Sequence, residues 1–300
     1  MILLLVLGLG CLGAGAALLW PDHHAAPGAA EQAGVMPGSL VPVAAQTAVV
    51  AAQELLPTVL SYDYRQIDTN LSVARRWGTT PFRQYLERFW LAERAQVLAD
   101  RVVLKATTVG TGAVSMAGNR VVVLTFLDLA VTTKGLPTPH TTASAYRVSL
   151  VGRGGGWLID RLDDSATPTP PAAWPSAELR AAERSARDCV TALLSVDPAR
   201  LDAAMAAQAR CTTGGLHRQL VAGRATYRDQ VLRQQRQTAL TVIASGVSEA
   251  RAGRVRLVVY ASSASRSSQQ PDTSTRRVRL AVTATSVAGH WLVDSLSQVG

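Results

Sequence analysis

Apolar residues first recur at helical spacing over 44–61, where Val49, Ala52, Leu56 and Val59 fall on one side. A shorter helix is predicted over 65–76. Thr79 or Thr80 is placed to cap a third helix with Pro81 at its first position, and this helix carries Phe82, Tyr85, Leu86 and Phe89 along one side. Four strands rich in Val, Thr and Leu are then predicted at 102–115, 119–133, 142–152 and 156–163, broken by glycine-containing turns. The same order returns downstream: helices at 178–196, 198–210 and 214–233, then strands at 236–249, 253–264, 275–286 and 290–297.

The two halves match at one fixed offset of 134 residues. Leu60-Ser61 and Asp63 correspond to Leu194-Ser195 and Asp197, Asp68 to Asp202, and Arg76 to Arg210. Arg120-Val121 corresponds to Arg254-Val255. Trp157-Leu158, Asp160 and Leu162 correspond to Trp291-Leu292, Asp294 and Leu296. A register that does not slip over the whole half is the signature of duplication. Three helices followed by a curled four-stranded antiparallel sheet make an α+β unit. That order resembles the cone-shaped fold of the nuclear transport factor 2-like superfamily, in which a sheet wraps a long helix and leaves a pocket between them. The expected organisation is an anchor at 1–20, a linker at 21–43, a first cone domain at 44–165, a Pro-rich linker at 166–177 and a second cone domain at 178–300.

Met1 to Trp20 holds no charged side chain, and about 20 apolar residues suffice for a bilayer-spanning helix. Trp20 and Pro21 suit the interfacial end of such a span. A cleaved signal peptide is the alternative, although no Lys or Arg precedes the apolar run. A lipoprotein signal around Cys11 is a weaker one, because the usual upstream Leu is missing. The flank that follows carries no Lys or Arg before Arg65, so the bulk of the chain is expected outside the cytoplasm, behind a single membrane pass.

The net charge is +9, and Lys105 and Lys134 are the only lysines. The arginines are scattered and not interleaved with aromatics, so they read as a solvated surface, and nucleic acid is not expected as a partner. Asp63, Asp68, Asp197 and Asp202 bracket the break between the first two helices of each half and are expected to cap the second, in preference to serving as general bases. Asp160 and Asp294 are expected to face solvent or to pair with Arg120 and Arg254. Trp157 and Trp291 are expected to close the core, with ligand stacking as the alternative. His23, His24, His140, His217 and His290 lack the spacing of a zinc site, so neither metal nor cofactor is expected. Gly152-Arg153-Gly154-Gly155-Gly156 reads as a hairpin turn. Cys189 and Cys211 stand where the first half has the apolar Leu55 and Trp77, which favours two buried thiols. A disulfide is the alternative, permitted by an extracytoplasmic site.

Leu60-Ser61-Tyr62-Asp63-Tyr64, Thr79 to Tyr85, Arg120 to Phe126 and Gly156 to Asp160 together resemble the Mce-associated membrane proteins of mycobacteria and other actinomycetes. The resemblance covers 1–165 well and 178–298 more weakly. The family pattern has one outer domain after the membrane helix, and the second half here lacks the Tyr-Asp-Tyr run. Such a resemblance implies a noncatalytic accessory or scaffold subunit of an Mce-type lipid or sterol importer. Its partners would be the membrane and the importer's protein subunits, with lipid contact open. Tandem domains of this fold also occur in assembly factors of conjugation and type IV secretion machines, a second reading. A small-molecule binder using the cone pocket is a third.

Overall fold

The computed structural model describes residues 38–164 and 176–300. The expected anchor at 1–20, most of the linker at 21–43 and nearly all of the Pro-rich linker at 166–177 lie outside them.

In the first half, α1 (Val43–Leu60) leads through a two-residue strand, β1 (Tyr62–Asp63), and one 3-10 turn (Tyr64–Gln66) into α2 (Ile67–Arg76) and α3 (Thr80–Ala99). The strands β2 (Val103–Ala117), β3 (Arg120–Thr132), β4 (His140–Arg153) and β5 (Gly156–Asp164) form an antiparallel meander. α1 is long and apolar enough to cross a membrane by length and composition. Its apolar face, however, is buried: Ala45, Ala48, Ala52 and Leu56 have no accessible surface, so α1 is a core helix lying on the sheet.

The second half repeats this 134 residues later: α4 (Ala177–Leu194), a 3-10 turn (Pro198–Arg200), α5 (Leu201–Arg210), then α6 (Gly214–Ala222) and α7 (Arg224–Gln234). Strands β6 (Gln237–Arg251), β7 (Arg254–Arg266), β8 (Ser274–Val287) and β9 (His290–Gln298) begin and end at the positions that β2 to β5 predict. The irregularities repeat too. β2 slips register at Thr108/Gly110 and Ala113/Ser115, and β6 at the corresponding Val242/Ala244 and Val247/Glu249. An extra residue on one strand bends it and raises the local twist, so both meanders curl at the same points. The expected single helix over 214–233 is a correction, because Gly223 interrupts it where the first half has Phe89.

The two meanders join. The sheet is nine-stranded among the described residues, in the order β5-β4-β3-β2-β6-β7-β8-β9 with β1 beside β2. β2 and β6 pair antiparallel at Ala113 and Val247, which occupy the same position in the two halves. When equivalent residues pair antiparallel, a local twofold axis passes between them, and the contact is self-complementary. Gly112 and Gly246, the preceding equivalent pair, meet at this axis: a Cβ built on Gly246 would lie 2.5 Å from the Gly112 carbonyl oxygen, and one on Gly112 2.6 Å from that of Gly246. The equivalent Phe126 and Tyr260 also meet, ring centroids 6.2 Å apart. Arg279 breaks the symmetry. It is 5% exposed and donates to Leu127 O at 3.0 Å and to the Asp128 carboxylate at 2.7 Å in the other half, and to Val299 O at 3.1 Å in its own. Its first-half counterpart is Ala145.

Gly246→Val places three carbons where backbone already stands, and overpacking of this kind costs about 1–3 kcal/mol. Chemical denaturation of the full chain should show the midpoint falling accordingly. An unchanged midpoint would mean that the halves do not meet there.

Candidate functional site

The first-half interior is filled by aromatic side chains. Tyr62 meets Trp90 edge-on at 4.9 Å, Phe89 meets Trp90 at 5.4 Å, and Phe82 stacks on Tyr85 at 5.9 Å. Helical spacing on α3 puts Phe82, Tyr85, Leu86 and Phe89 on the side facing the sheet. The cavity left among them is about 50 Å³, room for a water or two, against the several hundred Å³ of an ordinary ligand site. Burial, with a smaller contribution from Glu93, pushes the Tyr62 phenol up to about 12. Burial and Asp164 do the same for Tyr146, so both stay protonated at neutral pH.

The second half keeps the frame and loses the filling. Tyr62, Phe82, Tyr85, Phe89 and Trp90 correspond to Val196, Leu216, Gln219, Gly223 and Arg224. Without the Phe89–Trp90 pair the helix breaks at Gly223, and α7 is held by a small separate cluster of Val196, Leu201, Met205 and Val231 against Tyr227. A groove of about 550 Å³ opens where α5 faces the start of β6 and the end of β7, with Val196, Ala203, Ala204, Thr238, Ala239 and Ala264 among its walls.

The acidic residues singled out in the sequence fall into three roles. Asp63 and Asp197 cap their 3-10 turns, accepting from the backbone N–H of Arg65 at 2.9 Å and of Ala199 at 3.1 Å. Arg65 also pairs with Asp63 through its side chain, and this bond holds the Asp63 carboxyl below the usual range. Asp68 and Asp202 do not cap, which corrects the expectation. Each lies in the first turn of its helix and takes an arginine from a later helix: Arg94 of α3 bonds both oxygens of Asp68 at 2.5 and 2.9 Å, and the equivalent Arg228 of α7 bonds Asp202. Asp160 accepts from Thr79 Oγ1 at 2.8 Å and pairs with Arg120, so Thr79 bonds the last strand and does not cap α3 with its side chain. Asp294 takes Thr285 Oγ1 at 2.9 Å, with Arg254 at 3.7 Å. None of the Asp63, Asp68, Asp160 or Asp294 carboxylates lines the groove; Asp197 does, at its edge.

Trp157 and Trp291 are half-buried against the core, and Trp157 Nε1 donates to Thr47 Oγ1 at 3.1 Å, tying β5 to α1. Position 181, equivalent to Thr47, is alanine. Cys189 and Cys211 are joined in a disulfide with Cα atoms 5.5 Å apart, the alternative reading and not the pair of free thiols. It ties α4 to the end of α5. Gly154 and Gly155 turn the β4–β5 hairpin with positive φ of 60° and 82°. Among the described residues no three His, Cys, Asp or Glu side chains gather as a metal site.

One cluster went unread in the sequence. Glu183, 1% exposed, accepts from Ser245 Oγ at 2.6 Å, and Arg187 donates to that same oxygen at 2.8 Å. Burial presses Arg187 down from its usual value, opposed by Glu183 and then Asp188. The signal was a glutamate at an apolar-face position of α4, where α1 has Val49. None of the three lines the groove.

No family model matches the chain. It is 31% identical over 120 residues to the uncharacterized proteins Rv1362c and MT1407 of Mycobacterium tuberculosis, a match taking in 40% of this chain and 54% of each of theirs. The chain thus spans about half the length of the curated relatives it matches. Similar solved structures include CagV, a VirB8 homolog of the type IV secretion system of Helicobacter pylori (TM-score 0.34, 10% identity, 39% of this chain and 95% of that one). An Ntf2-like protein involved in plasmid conjugation (0.29, 9%, 84% and 95%) and Agrobacterium tumefaciens VirB8 (0.32, 10%, 42% and 94%) are others. At these scores the likeness says nothing of what this chain does, and no comparison places it in the Mce-associated family.

Asp160 supplies a pH test. The Arg120 hydrogen bond, against desolvation and aided by Thr79, lowers its carboxyl below the ordinary value of 3.8. A carboxyl depressed in the folded state adds stability above its unfolded value and loses it as pH falls through the folded one. Wild type should therefore exceed Asp160→Asn by about 1 kcal/mol or less from neutral pH down to about pH 4, with the gap closing below that. Denaturation midpoints across pH 2–7 read this out, and a gap that widens in acid would contradict it.

Proposed function

We propose that this chain is a noncatalytic, membrane-anchored accessory protein that scaffolds a complex of the cell envelope, its soluble part being two tandem nuclear transport factor 2-like cone domains outside the cytoplasm. The observation that carries the reading is the aromatic filling of the first-half interior, which leaves that half its outer surfaces to work with. The shared sheet supports it as well, because two fused halves present a broad fixed surface where one would present a small one. Large apolar residues stand exposed on α3 and α7: Leu91 at 88%, and the equivalent pair Leu98 and Leu232 at 42% and 38%. The apolar, uncharged segment 1–20 supports the anchor, which raises the local concentration of such a scaffold beside its membrane partners.

For the machine served, the sequence motifs favour an Mce-type lipid or sterol importer, and the mycobacterial relatives are in keeping with it. A conjugation or type IV secretion machine is the alternative, and the similar solved structures are proteins of such machines. Crosslinking in intact cells, then purification of the full chain from membranes, distinguishes them. Importer permeases and substrate-binding subunits are expected in the eluate. Transfer ATPases in their place would assign the secretion machine, and a chain recovered without any envelope partner would end the scaffold reading.

A further inference from the structure

The groove in the second half stands where the first half carries larger side chains, and its origin is visible residue by residue. Tyr62 is replaced by Val196, Thr69 by Ala203, Asn70 by Ala204, Leu104 by Thr238 and Lys105 by Ala239. Five side chains shrink on the surfaces that face one another, and they lie on three separate segments. In the first half Tyr62 packs on Trp90, and Asn70 Oδ1 accepts the Asp63 N–H at 3.0 Å, so the same region is shut from both sides. The resulting 550 Å³ falls within the usual range for small-molecule sites.

Its walls state a chemistry. Val196, Ala203, Ala204, Ala239 and Ala264 give an apolar lining without bulky side chains. Thr238 is buried, and its hydroxyl has no hydrogen-bond partner among the described residues. Two guanidinium groups stand at the exposed rim. Arg200 makes no ion pair among the described residues. Arg266 is steadied by its Nε donating to Gln237 Oε1 at 2.7 Å, which leaves its two terminal nitrogens without a partner among those residues. The one acidic residue on the lining, Asp197, accepts the Ala199 N–H of its own turn. The rim is therefore net positive over an apolar floor. Arginine forks recognise carboxylate and phosphate through paired N–H bonds, and an alanine-lined trough accepts a flexible hydrocarbon chain.

We infer that this groove binds an amphipathic anion, an acyl or alkyl chain lying on Val196, Ala204, Ala239 and Ala264 with its carboxylate or phosphate head between Arg200 and Arg266. The site belongs to the second half alone. It stands apart from the scaffold reading, which concerns outer surfaces and would hold or fail without it.

Titration calorimetry of the full chain in nanodiscs tests this with three probes below their micellar concentrations: dodecanoate, dodecyl phosphate and dodecyltrimethylammonium. Binding is taken as the heat in excess of that from the same discs prepared without the chain, which removes partitioning into lipid. Saturable binding of one anion per chain is expected, lost by tenfold or more in Ala239→Leu and by about tenfold in Arg200→Gln/Arg266→Gln. Preference for dodecyl phosphate would point to a phospholipid-like source of the head group, and preference for dodecanoate to a free fatty acid. Equal binding of the cation, or anion binding untouched by the exposed arginine substitutions, would overturn the proposal. The arginine pair keeps the test valid should Ala239→Leu fold poorly.

Discussion

The approach of Gly112 to Gly246 is the constraint on which the rest of the architecture depends. At the local twofold axis the two backbones come so close that a Cβ on either residue would collide with the other. Glycine in a strand interior costs about 0.5–1 kcal/mol relative to alanine, so two of them at equivalent positions call for a compensating gain. The gain lies in what their closeness permits. Ala113 and Val247 pair, Phe126 reaches Tyr260, and the sheet runs unbroken from β5 to β9. Arg279 then fastens the join with three hydrogen bonds, two of them into the other half. Because its charge is almost wholly buried, removing its Asp128 partner would leave an uncompensated ion, the costly way to break such a contact.

A self-complementary contact made within one chain need no longer be made by two identical surfaces. The two halves have used that freedom. The first packs its interior with Tyr62, Phe82, Phe89 and Trp90 and keeps α3 as one 20-residue helix. The second replaces each of these with something smaller or polar, breaks the corresponding helix at Gly223, and gains the Cys189–Cys211 disulfide where the first has Leu55 and Trp77. A covalent tie between α4 and α5 constrains a half whose helices bury less aromatic surface. Yet the frame is conserved down to the ion pair Asp68–Arg94, joining α2 to α3 in one half, and Asp202–Arg228, joining α5 to α7 in the other.

Element order and register were legible in the sequence because both rest on local pattern: strand boundaries fall within a few residues of those read from Val, Thr and Gly placement, and the offset of 134 holds through the bulges. The misreadings share a physical cause. Thr79 looks like a cap by position, but a capping hydroxyl competes with any acceptor that tertiary structure brings near, and Asp160 arrives from 81 residues away. Asp68 looks like a cap for the same reason, and Arg94 is brought to it only by folding. Glu183 and Arg279 announce themselves as charges in apolar runs, yet their partners are not deducible from spacing. The join between the halves left one trace, a glycine at each of two equivalent strand positions. That trace acquires meaning only when the two strands are seen edge to edge.

The central claim is that the two halves form one body through contacts that do not need the connecting segment. Placing a specific protease site within residues 165–175 of the full chain, cutting it, and measuring the mass of the product in solution without denaturant tests this most directly. One particle with the mass of the intact chain, resolving into two fragments only on denaturation, is the predicted result. Two separate particles after the cut would contradict the account.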